Sequence, residues 1–212
     1  MRYDHVIWDW NGTLLDDVVL AAGIVHQMLL RRGLGTLEVE RHRQLFTHPV
    51  RDYYEAAGFN LERDAFEVLT TEFHEEYLRR WRECTLREHA TEAIVALSSR
   101  GTSQSVLSAA EQRMLEDGTS HFGLTATMRT IAGLDDFHAV SKVERGRALL
   151  ATLEVDPARV LLVGDTGHDH EVAAAIGVDV ALIEDGHATS ERLRATGAPV
   201  FASLVALLEW VA

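Results

Sequence analysis

Short, uninterrupted apolar runs alternate with amphipathic stretches along most of the chain. The apolar runs predict buried β-strands at residues 5–8, 103–107, 128–132, 159–163, 180–183 and 200–202. Apolar positions at helical spacing predict helices at residues 17–32, 91–99, 111–118, 142–153, 171–176, 190–196 and 204–211. Because continuous apolar strands need cover on both faces, this pattern predicts an α/β fold with a parallel sheet between two layers of helices.

Residues 16–87 interrupt the alternation of strands and helices. Helices are predicted at residues 39–45, at 49–58 with Pro49 in the first turn and Gly58 as the stop, and at 62–87. No convincing strand pattern occurs between residues 16 and 87. We therefore expect a helical insertion at 16–87, and a core domain in which residues 1–15 join residues 88–212.

Composition narrows the possible partners. The chain has 212 residues, of which 47% are apolar and 25% charged, a balance typical of a globular protein. Its formal net charge of −13 argues against nucleic acid or an anionic membrane surface as a partner. The sequence has no bilayer-length apolar run and no targeting segment, and Cys84 is its one cysteine. We expect a cytoplasmic protein.

Polar residues follow several of the predicted strands. Asp9 comes after the first strand, Ser108 after the second and Asp165 after the strand at 159–163, with Asp169 four residues further on. In an open parallel sheet the carboxyl ends of the strands form the ligand-binding edge, so these side chains are expected to converge. Taken singly, each is also compatible with a helix-capping role. Their combination and order are more informative than any one of them.

One basic residue stands out. Of the 20 lysines and arginines, Lys142 is the only lysine. This choice indicates a position where a compact ammonium fits and a guanidinium does not, unless the lysine has survived by chance on a helix surface.

The segments DWNGT at residues 9–13, Ser108, Lys142 and GDTGHD at 164–169 resemble the four successive motifs of the haloacid dehalogenase (HAD) superfamily. The resemblance is to its phosphoglycolate-phosphatase-like branch, extends over essentially the whole chain, and includes a helical cap inserted after the first strand. It implies a Rossmann-like core. The sequence departs from the family at one position, since Asn11 stands where phosphatases have a second aspartate.

The resemblance implies a Mg²⁺-dependent phosphatase that acts on a small phosphorylated metabolite through an aspartyl-phosphate. Asp9 would attack phosphorus. The resemblance assigns the Mg²⁺ ligands to Asp9, the backbone carbonyl of Asn11 and Asp165, with Asp169 holding a metal-bound water or Lys142. It assigns the phosphoryl oxygens to the hydroxyl groups of Thr13 and Ser108, and charge compensation to Lys142.

Asn11 raises a mechanistic question, because an amide cannot serve as the general acid and base. A positioned acid/base group contributes roughly 10²–10⁴ in rate. Three explanations stay open: a slow enzyme, a leaving group that needs little protonation such as an aryl or acyl phosphate, or a substitute proton donor. Four histidines are candidates for that donor: His48, His168, His170 and His187. We rank His168 and His170 first because they flank Asp169.

Two further residues are predicted to contact the substrate. Arg51, in the insertion, would meet a second anionic group, although a surface ion pair is the commoner role for such a residue. Trp10, next to the candidate nucleophile, would line the leaving-group pocket, whereas Trp8 is expected in the core.

Other classes of protein fit less well. A phosphorylatable receiver domain would be shorter and would lack the insertion, and a hydrolytic dehalogenase would not need Asp165 and Asp169. A catalytically impaired binding or regulatory protein and a phosphomutase stay open as alternatives. The sequence leaves the identity of the substrate and the oligomeric state undetermined.

Overall fold

The structure is a computed structural model that describes residues 2–134 and 142–212. Over these residues it contains the strands β1 (His5–Trp8), β2 (Leu15–Asp16), β3 (Thr85–Leu86), β4 (Ser103–Glu111), β5 (Thr130–Leu134), β6 (Val160–Gly164), β7 (Asp179–Ile183) and β8 (Val200–Phe201). Six of them form a parallel sheet in the order β5-β4-β1-β6-β7-β8. The remaining two, β2 and β3, form a short antiparallel pair.

Helices surround the sheet and fill the segment between β2 and β3. The helices of the described residues are α1 (Val18–Arg32), α2 (Val39–Leu45), α3 (Val50–Ala57), α4 (Phe66–Arg80), α5 (Ala90–Ser99), α6 (Gln112–His121), α7 (Lys142–Thr152), α8 (Gly167–Ile176), α9 (Ser190–Ala195) and α10 (Leu204–Val211). None of the helices in the described part of the chain has the length and apolar character needed to cross a membrane.

Both faces of the sheet are buried, which explains why its strands are apolar throughout. Side chains alternate across a strand, so Val6 and Trp8 of β1 lie in one apolar cluster with α5 and α10. Ile7 points to the other face, into a cluster with α7 and α8. The predicted α/β parallel sheet with helices on both faces is confirmed.

The helices α1, α3 and α4 contribute to an apolar cluster of their own. Its most buried members include Met28 and Leu69, each 0% exposed. The chain enters this region through β2 and leaves it through β3, where Leu15 pairs with Leu86. These features agree with an inserted helical domain, and the division at 16–87 stays a prediction.

Two expectations for this region are wrong. Strand residues do occur at its ends, because β2 and β3 have two residues each and are too short to show an alternating pattern. The predicted helix at 62–87 is also shorter than expected. It spans Phe66–Arg80 and is followed by a 3₁₀ turn at Trp81–Glu83.

The glycine at position 118 in α6 provides a test of packing. A Cβ atom there would lie 2.9 Å from Cζ2 of Trp10, whose side chain is 2% exposed. We expect Gly118→Ala to destabilise the protein, because overpacking costs roughly 1–3 kcal/mol. That cost exceeds the helix-propensity gain of about 1 kcal/mol for alanine over glycine. Urea unfolding measures the difference.

The matched control is Gly23→Ala in α1, where a new Cβ meets nothing within 4 Å. We expect this variant to be as stable as the natural chain or slightly more stable. Equal stabilisation by both substitutions would contradict the packing argument for Trp10.

Candidate active site

Three carboxylates meet at the carboxyl edge of the sheet. Asp9 follows β1, Asp165 follows the neighbouring strand β6, and Asp169 lies in the first turn of α8. One carboxylate oxygen from each lies within 4.8 Å of the other two, and all three residues are buried. Parallel strands that end together therefore bring residues 156 positions apart in sequence into one acidic cluster, as their places in the sequence suggested.

Lys142, the first residue of α7, lies among these acids. Its Nζ donates to Oδ1 of Asp9 at 2.5 Å and to Oδ1 of Asp169 at 2.6 Å, and its side chain is 4% exposed. Burial opposes the charge of the ammonium, but the two carboxylates outweigh it and raise the pKa of Lys142. The single lysine of the chain thus bridges two buried carboxylates rather than lying on a helix surface.

Asp169 is held firmly by its surroundings. Its Oδ2 accepts hydrogen bonds from the backbone N–H of Thr166 at 3.0 Å and from the Thr166 hydroxyl at 2.8 Å. The first of these bonds, together with the bond from the Asp169 backbone N–H to the Thr166 side chain, forms the capping box of α8. Burial alone would raise the pKa of Asp169, but Lys142 and these donors lower it to about 2. A Cβ at residue 164 would lie 2.2 Å from Cγ of Asp169, so this approach requires Gly164.

Asp165 is also enclosed. Its Oδ1 accepts from the hydroxyl of Thr13 at 3.2 Å, and its Oδ2 accepts from the backbone N–H of His187 at 2.5 Å. A Cβ on either Gly12 or Gly186 would lie 2.2 Å from Oδ2 of Asp165, and Gly12 has a φ of +74°. Because glycine has no side chain, the loops that contain these two residues can both approach the Asp165 carboxylate closely.

The acidic cluster fits a divalent cation. Burial raises the pKa of Asp9, and Asp169 and Asp165 add to this effect against the opposing charge of Lys142. Burial likewise raises the pKa of Asp165. A cation next to Asp9 and Asp165 would relieve both effects, and oxygen donors of this kind suit Mg²⁺. Asp169 is engaged by Lys142 and Thr166, which suits a supporting position rather than direct ligation.

Ser108 lies inside β4 rather than after its end, because that strand extends to Glu111. The serine is 2% exposed and lines the same cavity as Asp9, and its Oγ accepts from the backbone N–H of Ala110 at 3.0 Å. Its hydroxyl proton therefore remains available to a group bound at the carboxyl edge.

Asn11 takes part in a network that the sequence did not reveal. Its Nδ2 donates to Oδ2 of Asp17 at 2.7 Å and to the hydroxyl of Tyr77 at 2.8 Å, and that hydroxyl donates to the same Asp17 oxygen at 2.7 Å. Oδ1 of Asp17 accepts from the backbone N–H of Gly12 at 2.9 Å. A buried carboxylate thus lies next to the position where the family has its second aspartate.

His187 extends this network into the helical region. Its Nε2 lies 3.2 Å from Oδ1 of Asp17, and its Nδ1 lies 2.9 Å from Nε2 of His42, whose Nδ1 lies 2.7 Å from the Tyr53 hydroxyl. Burial disfavours the charged imidazole, but Asp17 outweighs it and raises the pKa of His187 to about 9. Burial lowers the pKa of His42 to about 3, and the charge of the neighbouring His187 adds to this effect.

The ranking of the four histidines needs correction. His170 lines a separate surface pocket with Arg2 and Trp210, away from the acids. His168 lines the site cavity and stacks on His48 with ring centroids 4.5 Å apart, but its Nδ1 faces Glu171. His187 is the histidine bonded to the Asn11 network. His187 follows β7, so it lies at the same edge of the sheet as the acids. Its place after a predicted strand was the feature of the sequence that could have identified it.

A cavity of about 470 Å³ extends from the acids to the inserted helices. Neither Trp10 nor Arg51 is among the described residues that line it. Trp10 is buried in the core beside Phe122 instead, and Arg51 is exposed with its guanidinium 5.8 Å from the centre of the Phe66 ring. These placements do not support the substrate contacts predicted for the two residues, whereas Trp8 lies in the core as expected.

The contact between Asn11 and Asp17 predicts how the two positions depend on each other. Asn11→Asp would put a half-buried carboxylate in contact with the buried carboxylate of Asp17 and remove two N–H donors, at a cost of roughly 1–3 kcal/mol. Adding Asp17→Asn restores one amide opposite one carboxylate. We expect the double variant to be more stable than the sum of the single effects by roughly 1 kcal/mol or more.

Urea unfolding of the natural chain, the two single variants and the double variant gives this coupling energy. Asp16→Asn is the control, because Asp16 is the exposed neighbour of Asp17. Strict additivity of the two changes would rule out the proposed dependence.

Comparisons with known proteins agree with this geometry. Residues 6–183 match the family of haloacid dehalogenase-like hydrolases. The N-acetylmuramic acid 6-phosphate phosphatase of Pseudomonas putida is 29% identical over 194 residues, which are 88% of this chain and 85% of that protein. The tyrosine-protein kinase PtkA of Mycobacterium tuberculosis is 27% identical over 199 residues, or 92% of this chain and 67% of that protein.

A solved structure supports the same fold. The haloacid dehalogenase-like hydrolase SP0104 from Streptococcus pneumoniae superimposes with a TM-score of 0.86 at 15% identity, covering 100% of this chain and 99% of that one. The family match spans most of the sequence and includes the strands that carry Asp9, Ser108 and Asp165. The chain therefore belongs to the haloacid dehalogenase-like hydrolase family, and it is a hydrolase of that family's fold.

Proposed function

We propose that the chain is a Mg²⁺-dependent phosphatase of small phosphorylated metabolites, with Asp9 as the nucleophile. The observation that carries this proposal is the position of Asp9. Its carboxylate opens onto the cavity between the Lys142 ammonium and the Asp165 carboxylate, and it is 7% exposed. A similar pairing of carboxylate and cation activates nucleophiles for phosphoryl transfer.

In the first step a carboxylate oxygen of Asp9 forms a bond to phosphorus, and the bond from phosphorus to the leaving oxygen breaks. The electron pair departs with that oxygen. Lys142 offsets the negative charge around Asp9, and the hydroxyl group of Ser108 donates to a phosphoryl oxygen. The Thr13 hydroxyl, which donates to Asp165 in this structure, would turn from that carboxylate to donate to a second phosphoryl oxygen. The products of this step are an aspartyl-phosphate and an alkoxide or phenolate, which takes a proton from solvent water to become the released alcohol or phenol.

In the second step water attacks the phosphorus of the aspartyl-phosphate. The bond from phosphorus to Asp9 breaks, inorganic phosphate leaves, and the free carboxylate returns. The proton of this water passes to a phosphoryl oxygen, because the neutral amide of Asn11 is too weak a base to accept it and its nitrogen already donates to Asp17 and Tyr77. Both steps therefore proceed without an acid/base group at position 11, which favours substrates with good leaving groups.

Asp9 and Asp165 would hold Mg²⁺, together with the backbone carbonyl of Asn11 that the family resemblance assigns. When bound, the ion supplies positive charge to the phosphoryl oxygens and to the attacking carboxylate. Asp169 would keep Lys142 in place beside this centre. We expect a phosphorylated small molecule as the partner and, from the single cysteine, a cytoplasmic setting.

A phosphotransferase is the second candidate. Without a base at position 11, the aspartyl-phosphate is hydrolysed slowly and survives to meet another hydroxyl group. One relative at 27% identity is called a tyrosine-protein kinase, which makes acceptor hydroxyls worth testing.

Phosphate release from acetyl phosphate and p-nitrophenyl phosphate, with and without Mg²⁺, tests the main proposal. We expect Mg²⁺-dependent release by the natural chain and loss of roughly 10³-fold or more for Asp9→Asn, because the nucleophile is removed. Asp16→Asn, an exposed acid in the same stretch of sequence, should retain the natural rate.

Each other outcome has a defined meaning. Equal rates for Asp9→Asn and the natural chain would refute the assignment of Asp9 as nucleophile. Phosphate transfer to added alcohols or phenols in place of release to water would favour the phosphotransferase. No reaction with either donor would leave a binding or regulatory protein as the better description.

A further inference from the structure

Aromatic rings dominate the wall of the cavity opposite Asp9. Most of the apolar and aromatic lining comes from the inserted region, which contributes Ala21, Val25, Phe46, Pro49, Val50, Tyr53, Tyr54, Phe66, Phe73 and Tyr77. Phe73 stacks on Tyr77 with centroids 5.7 Å apart, and Tyr54 lies 6.0 Å from Phe66. This wall has the composition of a pocket for a flat apolar group.

The hydroxyl groups of two wall tyrosines are already engaged. The Tyr53 hydroxyl bonds to Nδ1 of His42, and the Tyr77 hydroxyl donates to Asp17. These bonds fix the orientation of the two rings and commit the hydroxyl proton of Tyr77 to Asp17. The wall therefore offers mainly ring surface to an occupant.

The cavity has little positive charge for a second anion. Among the described lining residues there is no arginine, and the one lysine, Lys142, is paired with Asp9 and Asp169. His187 is paired with Asp17. Burial lowers the pKa of both His42 and His48 to about 3, which keeps them neutral. The two other histidines of the lining have protein partners: Nδ1 of His168 lies 3.3 Å from Oε2 of Glu171, and Nδ1 of His74 lies 2.7 Å from the carbonyl oxygen of Thr70. Residues 135–141, which the structure does not describe, contain neither lysine nor arginine.

The remaining charges in the lining are negative. Asp9, Asp17, Asp165 and Asp169 all border the cavity. A bound cation and the phosphoryl group would occupy the region of Asp9 and Asp165, so a carboxylate or second phosphate on the leaving group would face Asp17 without compensation.

We infer, on the basis of the phosphatase activity proposed above, that the preferred substrates are aryl phosphates whose ring carries no second negative charge. The inference rests on the aromatic wall, on the lack of an uncommitted cation in the described lining, and on the amide at position 11. Phosphorylated hydroxy acids, bisphosphates and nucleotides would bind poorly.

The chemistry of the leaving group agrees with the shape of the cavity. When Asp9 attacks phosphorus, the bond from phosphorus to the aryl oxygen breaks and a phenolate leaves with the electron pair, to take a proton from solvent water. A phenol has a pKa of about 10, against 15.7 for water, so departure without a proton donor costs far less than for an alkoxide. An aryl leaving group therefore needs no proton donor at position 11 and also fits the aromatic wall of the cavity.

The test compares kcat/KM for five phosphates under saturating Mg²⁺. Naphthyl and phenyl phosphate measure the contribution of ring contact, and para-carboxyphenyl phosphate adds a negative charge to the same ring. Cyclohexyl phosphate replaces the phenol by an alcohol of similar size. Acetyl phosphate has a good leaving group and no ring, so it reports on the chemistry alone.

We expect the order naphthyl, phenyl, para-carboxyphenyl, cyclohexyl, with the negative charge lowering kcat/KM at least tenfold relative to phenyl phosphate. Phe73→Leu should lower kcat/KM for naphthyl phosphate by roughly three- to tenfold through lost ring contact, and should lower kcat/KM for acetyl phosphate by a clearly smaller factor. Phe201→Leu is the matched control, because Phe201 packs against Trp210 outside the cavity.

Failure of the inference is distinguishable from failure of the proposed activity. Turnover of acetyl phosphate that depends on Asp9, with para-carboxyphenyl phosphate equal to or better than phenyl phosphate, would overturn the aryl preference and keep the phosphatase. Equal losses for Phe73→Leu with acetyl and naphthyl phosphate would also overturn it. No turnover of any of the five would remove the phosphatase on which the inference rests.

Discussion

The bridge from Lys142 to Asp9 and Asp169 is the interaction on which the rest of the site depends. Three buried carboxylates repel each other, and burial of a charge is costly unless it is paired and hydrogen-bonded. One ammonium reaches two of them at 2.5 and 2.6 Å, and a hydroxyl group and a backbone N–H satisfy the third, Asp165. This arrangement brings the starts of α7 and α8 to the end of β1, and Gly164 permits the closest approach.

The requirement that a buried carboxylate be paired also explains the residue type at position 11. A carboxylate does lie in contact with position 11, but it belongs to Asp17, and its partners are the Asn11 amide, Tyr77 and His187. A second carboxylate at position 11 would lack compensation there, because His187 is the one cationic partner that Asp17 has among its described contacts. The amide is therefore the residue type that the surrounding hydrogen bonds require.

The sequence was informative where a pattern repeats and uninformative where a contact joins distant segments. Apolar runs located the six sheet strands, and their order placed Asp9, Asp165 and Asp169 at one edge. The start of α8 was missed by four residues, because its first turn is polar and shows no helical periodicity. The partnership of Asp17 with Tyr77 joins residues 60 positions apart and carries no local signal.

Asn11 connects the sheet edge to the inserted helices through its hydrogen bonds. The edge holds the reacting groups, whereas α1, α3 and α4 form the wall that would contact the leaving group. Tyr77 belongs to that wall and bonds both to Asn11 and to Asp17. Asn11 stands at the position of the residue that would supply a proton in a typical relative, and here it is hydrogen-bonded to Tyr77 of the aromatic wall. On the function proposed above, a leaving group that needs no proton and a pocket that favours rings would both follow from this hydrogen-bond network.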